Sequence, residues 1–134
     1  MRRAWILAFL AGANAYAATP AELQQGYAAQ ARQENPAFKE FSAVRGEQLY
    51  RAEHTASGGD KISCTTCHTA DPRKAGKTRA NKQIEPMAPS ANAQRFTDPA
   101  KVEKWFGRNC KDVLGRACTA QEKGDFIAYL LSIK

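Results

Sequence analysis

Cys64-Thr65-Thr66-Cys67-His68 places two cysteines three residues apart, with a histidine directly after the second. In a C-x-x-C-H run the two thiols add across the vinyl groups of a haem and the histidine binds the iron axially. The spacing has a physical reason. Residues three apart lie on one side of a helical turn, so both sulfurs can meet one edge of the porphyrin. The next residue is then delivered to one face of the iron. Two other chemistries use the same spacing: a thioredoxin-type redox pair, and half of a zinc site that Cys110 and Cys118 would complete.

Upstream, Arg2 and Arg3 precede an apolar run from Trp5 to Leu10 with Ala11, and Ala15-Tyr16-Ala17 has the form of an A-x-A cleavage signal. The run is too short to span a bilayer and has no stop-transfer pattern. The pattern predicts a signal peptide over residues 1–18 and one domain over residues 19–134; a retained N-terminal anchor is the other reading. Export places the protein in an oxidising compartment, most simply a bacterial periplasm. There the cysteines divide into two for haem and a leftover pair, Cys110 and Cys118, most simply joined as a disulfide.

The formal charge is +7, and removing Arg2 and Arg3 with a stretch that holds no acid leaves +5. Basic residues are scattered, with a mild cluster at Arg73, Lys74, Lys77, Arg79 and Lys82. No basic face with groove-reading or stacking elements emerges, so a nucleic-acid partner is not expected. Such a charge suits either a solvated loop or weak docking of an acidic redox partner, where it speeds encounter more than it tightens the complex. No serine–histidine–acid set, phosphate loop or paired carboxylates appear.

The helical periodicity predicts an all-α fold of short helices around one haem. Pro20 to Gln33 carries Leu23, Tyr27 and Ala31 on one stripe, and Asn35-Pro36 ends it. Ser42 caps a second helix running to about Glu53, with Val44, Leu49 and Tyr50; Gly46 and Tyr50 share a face suited to close helix crossing. His54 to Asp60 reads as a loop. After the motif, Pro72, Gly76, Pro86 and Pro89 mark a long irregular stretch wrapped on something, here the haem edge. Thr97-Asp98-Pro99 opens a helix, with the Thr97 hydroxyl as its cap, and Val102, Trp105 and Phe106 follow before Gly107 weakens its end. Thr119-Ala120-Gln121-Glu122 is a capping box opening a last helix with Phe126, Ile127, Leu130 and Leu131. No strand pattern is evident.

With His68 proximal, the other haem face needs a second group. His54 falls in a surface loop and reads as a solvated histidine. Met87, nineteen residues past His68 and flanked by Pro86 and Pro89, fits either a sulfur ligand or an apolar side chain packed on the porphyrin. Asn109 by itself reads as a helix C-cap following Gly107-Arg108.

The segments Ile84-Glu85-Pro86-Met87-Ala88-Pro89-Ser90, Arg95-Phe96-Thr97-Asp98, Val102-Glu103-Lys104-Trp105, Asn109-Cys110, Leu114-Gly115, Cys118-Thr119, Glu122-Lys123 and Phe126-Ile127-Ala128-Tyr129-Leu130-Leu131 closely resemble the sphaeroides haem protein (SHP) and cytochrome c″ family. With the haem motif the resemblance covers about residues 42–134. It implies a class I cytochrome c-like fold with one covalent haem c held by Cys64 and Cys67, His68 as proximal ligand, and a Cys110–Cys118 disulfide. It also implies a sixth ligand just before the first disulfide cysteine: histidine in the cytochrome c″ branch, asparagine in the SHP branch, and Asn109 here. Such a ligand lets go on reduction and opens the iron to dioxygen, nitric oxide or carbon monoxide. The electrons would come from a partner cytochrome, of dihaem c-type or membrane b-type. The family position matching Met87 is commonly leucine, so a permanent His68/Met87 electron carrier stays open as the alternative.

Overall fold

Two helices cross where one of them has no side chain. In the computed structural model, which describes residues 17–56 and 58–134, α2 (Ala43–Arg51) meets α5 (Ala120–Ser132) at Gly46. A Cβ there would lie 1.9 Å from the Asp125 carbonyl oxygen and 2.8 Å from the Tyr129 Cβ. The two backbones therefore touch, and the large residues sit beside the crossing. Tyr50, Ile127 and Leu130 are fully buried. The Tyr50 ring packs 5.6 Å from that of Tyr129 and 6.0 Å from that of Phe126.

Asp125 pins the crossing from its edge. Its side chain is 5 % exposed, and its carboxylate accepts from the Ser42 backbone N–H at 2.7 Å and from Arg45 Nε and Nη2 at 2.8 and 3.0 Å. A buried carboxylate is tolerable only when so satisfied.

The first helix, α1 (Pro20–Glu34), buries Tyr27 and Ala31, with Leu23 packed on the same core. Thr19 and Glu22 cap its start reciprocally, a pairing the periodicity did not reveal. It lies on α5, where Gln24 donates to the Gly124 carbonyl at 3.2 Å and Glu34 accepts from the Ala120 N–H at 2.9 Å. The predicted Thr119–Glu122 box caps α5.

The remaining elements are α3 (Thr65–His68), α4 (Pro99–Leu114) and four two-residue strands. β1 (His54–Thr55) pairs antiparallel with β2 (Lys61–Ile62), and β3 (Gly76–Lys77) with β4 (Gln83–Ile84). The all-α expectation holds, with two short hairpins added to it. The first replaces the loop expected over His54 to Asp60.

Four other expectations need correction. α2 stops at Arg51, with Ala52 as its C-cap. Val44 stays 66 % exposed, because the crossing is carried by Gly46 and Tyr50. The N-cap of α4 is Asp98, whose Oδ1 accepts from the Lys101 N–H at 3.0 Å; the Thr97 hydroxyl instead donates to the Gln94 carbonyl. Asn109 is no C-cap: α4 runs through Gly107 to Leu114 and ends on Gly115 in the left-handed conformation.

Candidate functional site

The haem motif is positioned from two sides. Residues Thr65–His68 form only one helical turn, too short to hold its own shape. Tyr50, from the α2–α5 crossing, reaches over and donates toward the His68 and Thr69 carbonyls at 3.1 and 2.7 Å. Thr69 ends the turn at a φ of +66°, an uncommon conformation for a branched residue. Its hydroxyl donates to the Asp71 carbonyl at 2.7 Å, which fixes the exit path. On the other side β3 presses on the motif: a Cβ on Gly76 would lie 1.9 Å from the Cys67 carbonyl oxygen. Before the motif, the Ser63 backbone N–H donates to Thr66 Oγ1, its hydroxyl bonds to Thr65 Oγ1, and its carbonyl accepts from the Thr66 N–H.

Cys64 and Cys67 are both half-buried and not joined to one another. Burial pushes the Cys64 thiol up to about 11. A thioredoxin-type pair shifts its attacking thiol the other way, toward a thiolate near neutral pH. The four-cysteine zinc site fails on geometry. Cys110 and Cys118 bring their sulfurs to bonding distance of each other, with Cα atoms 5.6 Å apart. Among the described residues, no three histidine, cysteine or acidic side chains converge.

His68 carries the observation that best matches a covalently held haem. Its Nδ1 is enclosed and has no hydrogen-bond partner among the described residues, which leaves Nε2 as the nitrogen to face an iron. Burial, with the Arg95 charge second, pushes the imidazole down to about 4. It is therefore neutral at neutral pH, the form that offers a lone pair to a metal. Two unjoined thiols on one turn and a neutral imidazole beside them make a donor set that fits haem c.

Arg95 was not foreseen as part of this site. Its Nε donates to the Pro86 carbonyl at 2.7 Å and Nη2 to the Glu85 carbonyl. The Met87 and Ala88 N–H groups both donate to the Pro72 carbonyl at 2.9 Å. Together these bonds tie the 85–88 loop to the segment leaving the motif. Met87 is 8 % exposed and belongs to the main apolar cluster with Tyr50, Phe96 and Phe126.

Asn109 lies in the interior of α4, exposed, and its side chain bonds to no described residue. At 3.6 residues per turn it shares a face with Val102, Trp105, Phe106 and Val113. Val102 and Phe106 pack on the core, whereas Trp105 is 41 % exposed, with Lys104 and Arg108 against its ring at 5.6 and 5.3 Å. An apolar stripe around one amide, wider than the core it touches, suits the edge of a large flat group. Cys110, the next residue, is buried, and its sulfur lies at bonding distance from that of Cys118, just before α5.

His54 departs from expectation. It is half-buried in β1, and its Nε2 is enclosed without a partner among the described residues. Its sequence surroundings gave no signal of this, because the burial comes from pairing with β2 and packing of β1 on α4. The predicted signal peptide falls almost wholly outside the described residues. Among those described, no helix is long and apolar enough to cross a membrane.

Comparison with known proteins agrees with this geometry. Residues 36–130 match a family model described as a domain of unknown function, DUF1924. The chain is 51 % identical over 112 residues to the cytochrome c-type protein SHP of Cereibacter sphaeroides, covering 84 % of this chain and 82 % of that protein. It is 39 % identical over 99 residues to cytochrome c″ of Methylophilus methylotrophus, covering 73 % and 69 %. The crystal structure of oxidised cytochrome c″ superposes with a TM-score of 0.79 at 36 % identity, over 86 % of this chain and 94 % of that one. That of oxidised SHP, described as an oxygen-binding cytochrome c, gives 0.77 at 47 % identity, over 87 % and 98 %. A solution structure of cytochrome c″, described as bearing on haem-ligand detachment, gives 0.75 at 37 %, over 84 % and 92 %.

Proposed function

Because the chain belongs to the family of SHP and cytochrome c″, and is therefore a c-type cytochrome with the all-α fold of those proteins, we propose that it is a periplasmic gas-binding cytochrome with a sixth ligand that detaches on reduction. Cys64 and Cys67 hold one haem c by thioethers and His68 is the proximal ligand. Asn109 is the distal ligand of the oxidised state. The haem supplies the redox change and, when ferrous and open, a site for dioxygen, nitric oxide or carbon monoxide. Residues 1–18 are the export signal, and residues 19–134 form the mature domain.

The observation that carries this reading is Asn109 itself: an exposed amide in the middle of a helix, on an apolar stripe, one residue before Cys110. A carboxamide oxygen is a hard, neutral donor, matched to ferric iron better than to the softer ferrous state. The relatives described as oxygen-binding and as bearing on haem-ligand detachment support the same behaviour. Arg95 and the paired Met87 and Ala88 N–H groups hold the 85–88 loop, with Met87 as an apolar member of the core.

Electrons arrive from a partner cytochrome, of dihaem c-type or membrane b-type. Lys77, Arg79 and Lys82 stand exposed around the β3–β4 hairpin and supply the basic surface that an acidic partner would meet.

Two variants locate the ligand. Asn109→Ala is expected to lose the six-coordinate ferric spectrum, while Met87→Leu keeps it. The ferric wild type should lack a sulfur-to-iron charge-transfer band, and the ferrous form should take up carbon monoxide rapidly. Loss of the ferric spectrum in the Met87 variant alone would establish the permanent His68/Met87 carrier instead.

Cys110 and Cys118 form a disulfide in this reading. Closing so short a loop contributes roughly 2–3 kcal/mol by the chain-entropy account. The Cys110→Ala/Cys118→Ala protein should therefore unfold at a lower denaturant concentration, by an amount corresponding to that loss. An unchanged midpoint would mean that the two sulfurs are not joined.

A further inference from the structure

Phe96 has a φ of +60°, a region that a bulky aromatic residue enters only when its surroundings compel it. Its side chain is 6 % exposed, in the apolar cluster with Tyr50 and Met87 on which Cys64 also packs. That anchorage sets the course of the chain at Arg95. The Arg95 side chain is half-buried, with Nε donating to the Pro86 carbonyl at 2.7 Å and Nη2 to that of Glu85. The loop it holds is tied in turn to the Pro72 carbonyl, four residues beyond His68, by the Met87 and Ala88 N–H groups.

Every one of these partners is neutral. Among the described residues no carboxylate forms an ion pair with the guanidinium, and its Nη1 has no hydrogen-bond partner. Glu85 is the acid whose charge reaches it, but that side chain is exposed and accepts from Gln83 instead. A guanidinium keeps its proton in a protein, so the loop carries a permanent charge with no direct counter-ion. Two carbonyls need only neutral donors, and half-burying a cation to serve them adds a desolvation cost. The charge has a second neighbour that gives it a use. Arg95 is the charged group whose field bears on the His68 imidazole.

We propose that Arg95 is a tuning residue for the iron, a fixed positive charge on the His68 side that favours the ferrous state and so raises the potential at which Asn109 lets go. The proposal rests on His68 as the proximal ligand and adds to it what sets the one-electron step. Ferric iron carries one positive charge more than ferrous iron, so a cation held near its axial imidazole costs the ferric form more. Half-buried, that cation is screened by salt less than a surface lysine is.

The test measures the reduction potentials of the holoproteins by spectroelectrochemical titration. Arg95→Gln keeps an N–H for the Pro86 carbonyl and removes the charge. Arg95→Lys keeps the charge and gives up the two-pronged hold. At a fixed ambient potential, the ferrous-to-ferric ratio in Arg95→Gln should fall about tenfold, the scale of one unit charge acting over roughly 10 Å at a surface-like dielectric. Tenfold corresponds to about 59 mV for one electron. Arg95→Lys should stay within about threefold of the wild type, and both variants should keep the six-coordinate ferric spectrum. An unchanged potential in Arg95→Gln, or an equal fall in both variants, overturns the assignment and leaves the ligation standing. Arg95→Met is the second neutral variant; if neither it nor Arg95→Gln folds, the guanidinium is a structural clamp and the tuning role falls. A His68→Ala holoprotein with the wild-type ferrous spectrum overturns the proximal ligation, and this inference with it.

Discussion

A chain carrying Cys64→Ala and Cys67→Ala together will lose all its haem to acid extraction and show no haem-stained band after denaturing electrophoresis. The wild type will retain one haem per chain through both treatments. The expectation follows from which sulfurs are free. Cys64 and Cys67 are unjoined on the motif turn, whereas Cys110 and Cys118 have sulfurs at bonding distance of each other. No other cysteine exists to form a thioether. His68 could still hold haem in the double variant, but only by a coordinate bond that acid breaks. The folded state should weaken as well. A domain of this size buries limited apolar surface and relies on staples, and the Val102–Trp105–Phe106–Val113 stripe of α4 is wider than the protein core it meets. A haem-stained band in the double variant would show that attachment does not use these cysteines.

Gly46→Ala will be strongly destabilising. Its Cβ would sit 1.9 Å from the Asp125 carbonyl oxygen, a backbone atom that cannot rotate aside. The α2–α5 crossing must open, which loosens Tyr50 in its cage and stretches the Arg45–Asp125 pair. Overpacking that forces backbone shifts costs typically 1–3 kcal/mol and sometimes more; the backbone contact here puts the cost at about 3 kcal/mol. The better helix propensity of alanine offsets up to about 1 kcal/mol of it. The net loss of about 2 kcal/mol is a large part of a small domain's stability. Gly26→Ala, on α1 with open space around it, isolates the propensity effect and should raise the denaturation midpoint. If the two variants shift the ferric holoprotein's midpoint equally, the crossing is not as tight as described.

Gly46 and Tyr50 were legible in the sequence because a small residue and an aromatic one turn apart form a local pattern. The same holds for the α5 capping box and for the Leu23, Tyr27 and Ala31 stripe. The motif announced its own chemistry. His54 was misjudged because its burial is made by Ile62 across a hairpin and by α4, none of them near it in helical register. The extent of α4 was misjudged because Gly107 weakens a helix only where nothing else holds it. Here Phe106 packs on Tyr27 and Phe126, and Gly115 supplies the stop. Arg95 was silent for a different reason: its bonds go to backbone carbonyls, which leave no trace in residue type. The identity of Asn109 as a candidate ligand came from family likeness, since a lone asparagine before a cysteine has no distinctive pattern.

Gly76 has a consequence for how the motif turn answers to change. The β3 backbone lies directly on the Cys67 carbonyl, and from the other side Tyr50 grips the carbonyls of His68 and Thr69. Three consecutive carbonyls are thus held by two separate elements. A disturbance at either one shifts the turn as a block, carrying both thiols and the imidazole with it.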